Sequence, residues 1–104
     1  MNIDKNEISK QLKELFKAKK CNFYKGSKQV KVEHILAQAE FDYKEGEYYN
    51  HYNYEVRGKG EFMVLDSITG DLKSNGIECF STLIQVDDNK IKSIDRINIK
   101  QEAF

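Results

Sequence analysis

Tyr48-Tyr49-Asn50-His51-Tyr52-Asn53-Tyr54-Glu55-Val56-Arg57-Gly58-Lys59-Gly60-Glu61-Phe62-Met63-Val64 is the stretch on which the reading of this 104-residue chain turns. Its even positions are Tyr48, Asn50, Tyr52, Tyr54, Val56, Gly58, Gly60, Phe62 and Val64, and its odd positions are mostly polar. Successive side chains of a strand point to opposite faces, so this period of two marks a strand with one buried face. Gly58 and Gly60 sit mid-run, where absent side chains permit a sharp bend in one long strand or a tight hairpin. The apolar parity is the same on both sides of the glycines. A continuous strand requires that and a hairpin does not, so one bent strand is expected.

Upstream, the strongest local signal is a helix start. Asp4 is placed to accept from free N–H groups of the first turn, and Glu7, three residues on, is spaced to complete a capping box, with Ile3 and Ile8 as a hydrophobic staple. Ile8, Leu12, Leu15 and Phe16 then fall on one face, and Lys10, Lys13, Lys17 and Lys20 line the other, giving one amphipathic helix over residues 4 to 20. Phe23 to Ser27 reads as an exit and turn around Gly26. From Val30 to Phe41 two periods compete. Val32, Ile35, Leu36 and Ala39 fit a helix face, while Val30, Val32, His34 and Leu36 alternate as in a strand. The β-branched opening and the Lys44-Glu45-Gly46-Glu47 turn favour the strand.

Downstream, Thr69-Gly70-Asp71 and Ser74-Asn75-Gly76 carry turn chemistry, Ile77 to Val86 is strand-like, and Asp87-Asp88-Asn89-Lys90 is a polar turn. In the last run, Ile91, Ile94, Ile97 and Ile99 break strict alternation, which implies a bulge or burial on both faces. The simplest assembly is a single α+β domain over residues 1 to 104. An N-terminal amphipathic helix packs on a curved antiparallel sheet of four or more strands and fills its concave side.

Composition narrows the function classes. The hydrophobic fraction is 39%, the charged fraction 33% and the formal net charge zero, which suits a small domain with much surface for its core. The charge is unevenly placed. From Met1 to Lys31 nine lysines face only Asp4, Glu7 and Glu14, and from Val32 to Asp88 twelve acids face Lys44, Arg57, Lys59 and Lys73. Such polarity suits steering of a charged partner or head-to-tail self-contact. The helix stripe is lysine without arginine on a neutral chain, which argues against nucleic acid as the partner. No apolar run is long enough to span a bilayer, so no membrane contact is expected. Cys21 and Cys79 match neither a redox pair nor a zinc spacing and no apolar leader precedes them, so both read as reduced thiols in the cytoplasm.

The chain from Glu55 to Ile99 resembles the cystatin-like and NTF2-like curved-sheet folds. The resemblance is carried by the Arg57-Gly58-Lys59-Gly60-Glu61-Phe62 bend, the Ile68-Thr69-Gly70-Asp71 turn and the ending Val86-Asp87-Asp88-Asn89-Lys90-Ile91-Lys92-Ser93-Ile94. The NTF2-like likeness implies a pocket with a carboxylate as general base. This chain departs from that pattern in having one helix ahead of the sheet, and it lacks the Gln-x-Val-x-Gly stretch of cystatin protease inhibitors.

Six residues stand out as ligand or interface candidates: Tyr49, His51, Tyr52, Tyr54, Asp66 and Asp95. The tyrosines and His51 form the densest aromatic cluster, and alternation puts Tyr48, Tyr52 and Tyr54 on one face with Tyr49 and His51 on the other. Sheet packing is the commoner role for such aromatics. Asp66 and Asp95 adjoin strand-like apolar residues, as a pocket base would, and a charged strand edge is the plainer explanation. His34 and His51 are the only histidines. They form no HxH, HExxH or Cys/His cluster, so neither a metal nor a cofactor is expected. No nucleophile elbow, P-loop or dinucleotide fingerprint is present. The expected function is a small non-catalytic module that binds another protein, of the immunity, inhibitor or phage and mobile-element accessory type. Two alternatives stand beside it: an NTF2-like pocket protein in which Tyr52, Tyr54 and Asp95 line a cavity, and a subunit that homodimerises through the sheet.

Overall fold

The computed structural model describes residues 3 to 101, without the side chains of residues 34 to 38, 50 and 101. Helix α1 runs over Lys5–Lys17, and the strands are β1 (Phe23–Lys25), β2 (Lys28–Glu45), β3 (Tyr54–Asp66), β4 (Leu72–Asp87), β5 (Lys90–Ile94) and β6 (Ile97–Gln101). The chain is α+β with the helix first, as its sequence implies. The sheet goes further than a curve. Antiparallel β1–β2, β2–β3, β3–β4 and β4–β6 pairs are joined by a parallel β1–β6 pair, which closes a five-stranded barrel. A closed barrel removes most of the unpaired edge that an open sheet would expose.

The last isoleucine run is two strands on one track. β5 pairs with Ile84 to Asp87 of β4 and β6 with Glu78 to Ser81, and the chain breaks between them at Asp95-Arg96. The broken alternation of Ile91, Ile94, Ile97 and Ile99 therefore records an interruption, and beyond it Ile97 and Ile99 point into the core. Arg96 lies 4.6 Å from the ring centre of Tyr24, a cation–π contact that clamps the short parallel closure.

Helix α1 packs against the barrel between β2 and β5. The Ser9 and Tyr43 hydroxyls are 2.8 Å apart, tying the helix to β2. On its other flank Gln11 donates to the Asn89 carbonyl at 2.8 Å and accepts from the Ile91 N–H at 2.9 Å, tying it to the β4–β5 turn and β5. Ile8, Leu12 and Phe16 are buried to the last atom, and Phe16 packs edge-on against Phe23, Phe41 and Phe80. Asp4 caps the helix by accepting from Asn6 and Glu7 N–H groups. The reciprocal half of the expected capping box is replaced, because the Asp4 N–H donates to Asn89 Oδ1 at 2.9 Å instead of to Glu7. The helix ends earlier than residue 20, where Lys19 turns left-handed (φ 55°).

Two further boundaries differ from expectation. Phe23–Lys25 is a strand and not only an exit, since Gly26 at φ 65° makes a two-residue loop that returns Lys28 against Lys25. The aromatic run does not enter β3 at Tyr48. Tyr49–His51 forms one turn of 3₁₀ helix, and the strand begins at Tyr54. From there β3 runs unbroken through Gly58 and Gly60, so the single bent strand is observed. Gly58 is needed because β2 carries extra residues between Ile35 and Glu40 and leans onto β3. A Cβ on Gly58 would overlap the Glu40 carbonyl oxygen and lie 2.5 Å from the Phe80 ring.

Candidate functional site

The barrel interior is packed with side chains. Phe16, Phe23, Phe62 and Phe80 form a chain of tilted and edge-to-face rings inside a shell of Val30, Val56, Val64, Ile84, Ile97 and Ile99. The concave surface lies outside. Where β2 bends over β3, the outer faces of β2, β3, β4 and β6 form an open depression of about 600 Å³.

Strand register orders the side chains that line it. One cross-strand row is Glu40, Lys59, Cys79 and Lys100, and the next is Asp42, Arg57, Ser81 and Asn98. Alternation on four strands sends these residues outward while Phe41, Gly58 and Phe80 face in and form the floor. The β2 wall is thus acidic, the middle basic and the β4–β6 side neutral or basic. Arg57 pairs with Glu55, at the end of the depression. Burial and the Glu55 carboxylate raise the Tyr48 phenol above its ordinary range, and its hydroxyl points to Glu55 Oε2 at 3.5 Å. Among the described residues no three His, Cys, Asp or Glu side chains are grouped as a metal would require.

The six candidate residues do not converge. Tyr54 is in the core, Tyr52 is half-buried, and Tyr49, 90% exposed, projects with exposed His51 from the loop between β2 and β3. That loop is held at its base by Asn53. Its side chain donates to the Val86 carbonyl at 3.0 Å and accepts from the Val86 N–H at 2.8 Å, while Gly46 N–H donates to the Asn53 carbonyl. Asp66 builds the β3–β4 turn. It accepts from the Ile68 and Thr69 N–H groups at 2.8 and 2.9 Å, and these bonds hold its carboxyl below the usual range. Asp95 accepts from the Arg96 N–H at the break between β5 and β6, so it shapes that corner. The side chain of His34 lies outside the described residues. Residue patterning missed the depression because its rows depend on which strands become neighbours. The outward polar positions Arg57, Lys59, Cys79 and Ser81 were visible, but their pairing with Glu40, Asp42, Asn98 and Lys100 was not.

No described helix is long and apolar enough to cross a membrane. Compared with known protein families, with curated proteins and with solved structures, this chain matches none.

Proposed function

We propose that this protein is a non-catalytic binding module that works by contact with another protein through the outer depression. The observation that carries the reading is the pair of charge-ordered rows, Glu40-Lys59-Cys79-Lys100 and Asp42-Arg57-Ser81-Asn98, set on four mutually braced strands. A rigid surface with acid on one wall and base on the other selects a partner by charge order, which governs encounter rate and register more than affinity. Exposed Tyr49, on a loop anchored through Asn53, supplies an aromatic anchor of the kind that dominates interface energetics. The packed interior favours this reading over a pocket built on Tyr52, Tyr54 and Asp95.

The test is affinity capture with the natural protein beside Asp42→Lys and Lys100→Glu variants, each checked for an unchanged circular dichroism spectrum. A protein retained by the natural chain and lost from both variants is expected. Capture unaffected by either charge reversal would remove the depression from the interface.

A further inference from the structure

Two sets of opposite charge on this surface have no partner among the described residues. Glu40 and Asp42, the acidic wall of the depression, project from β2 into solvent, and neither carboxylate takes part in a hydrogen bond or ion pair there. Lys44, the next residue on that face, stands opposite Glu55 of β3 and ends the wall. On α1, Lys10, Lys13 and Lys17 share one side of the helix, and none of them is ion-paired among the described residues. The two sets are neighbours. The Ser9 and Tyr43 hydroxyls meet and Phe16 packs on Phe41, so the middle of α1 lies alongside the part of β2 that carries the acids.

Adjacent patches of opposite sign complement the same surface turned about a two-fold axis, because each copy then lays its cations on the other's acids. The spacing fits as well. Lys13 and Lys17 are four residues apart, about 6 Å along a helix, and Glu40 and Asp42 are two residues apart, about 6.7 Å along a strand. Glu14, on the outer face of the same helix, offsets the Arg57 and Lys59 that stand across β3 from the two acids. We propose that the occupant of the acidic wall is a second copy of this chain, in a two-fold dimer that sets Lys13 and Lys17 of each protomer on Glu40 and Asp42 of the other. The inference rests on the depression being a contact surface and names what covers its β2 side. Exposed ion pairs are individually weak and screened by salt, so the dimer forms at high protein concentration and low ionic strength.

The test is sedimentation of the full chain over a concentration series at low and at high salt. A reversible dimer is expected, with a dissociation constant that rises about tenfold with the salt. The Lys13→Glu/Lys17→Glu and Glu40→Lys/Asp42→Lys variants, each checked for an unchanged circular dichroism spectrum, should both be monomeric alone and should associate when mixed in equal amounts, because each then presents the charges the other needs. Lys90→Glu/Lys92→Glu on β5 makes the same change in net charge as the helix variant and should leave the natural dimer intact. A chain that stays monomeric, a mixture that does not associate, or a β5 variant that dissociates as the helix variant does, overturns the proposal. So does a dimer that survives both reversals, which places its interface elsewhere. A monomeric chain that still captures a different protein, lost on Asp42→Lys, overturns this inference alone and leaves the depression as a contact surface.

Discussion

Single residues hold this barrel at points where no neighbour can substitute. Gly58 is one, because the Glu40 carbonyl and the Phe80 ring occupy the space of any side chain there. Gly58→Ala should lower unfolding free energy by about 1–3 kcal/mol, the usual cost of overpacking, read from the urea midpoint. Gly26→Ala has open space but a positive φ, so its smaller loss would separate strain from overlap. Asp66 acts through protonation. The Thr69 and Ile68 N–H bonds hold its folded pKa below the unfolded value of ~3.9, so the stability it lends is full above that pH and is lost as pH falls through the folded value. Urea unfolding of the natural protein and of Asp66→Asn should therefore differ most near neutrality and converge in acid. Cys21 is a quieter case. Burial pushes its thiol up to about 11, so iodoacetamide at pH 8 should label it far more slowly in the folded protein than in urea. Equal rates would place Cys21 at an open surface.

Strand ladders carry most of the coupling between elements, and the helix adds a bridge between β2 and β5, which do not pair with each other. Gln11 joins α1 to the β4–β5 turn by two hydrogen bonds, one to the Asn89 carbonyl and one from the Ile91 N–H. Gln11→Ala should cost about 1–3 kcal/mol and speed amide exchange in β5 before it affects β3. Uniform acceleration across both strands would show that the helix docks without them. At this scale the sequence was most readable where a period persisted: the apolar stripe of Ile8, Leu12 and Phe16, and the unbroken parity of β3 through its glycines. From Val30 to Phe41, where two periods compete, the β-branched opening and the following turn pointed to the strand that is observed. It was least readable where tertiary pairing overrules local pattern. Tyr48 and Tyr52 alternate correctly for a strand, yet Asn53 takes over the bonds to Val86, and the residues before it turn into a 3₁₀ loop. Phe23–Lys25 is too short to announce itself and becomes a strand because β2 and β6 flank it. The aromatic candidates were drawn from local density, while the depression is assembled from four separated strands.

For the whole molecule, closure depends on the last strand meeting the first. A meander with an odd number of strands brings its ends together side by side in the same direction, which is why β1 and β6 pair in parallel. The pairing register is brief, Phe23 with Ile97 and Tyr24 with Asn98. During synthesis, then, the polypeptide has nothing to close against until residues near Gln101 have left the ribosome. At ~5–20 residues per second the hairpins β2–β3 and β3–β4 wait for seconds with their apolar faces uncovered. A nascent chain arrested with Asp95 just outside the exit tunnel should be cut readily by protease, and one extended by a linker that carries Gln101 clear of the tunnel should resist. The vulnerable period of this protein's life falls before β6 is made, while the apolar faces of its hairpins are open to wrong partners.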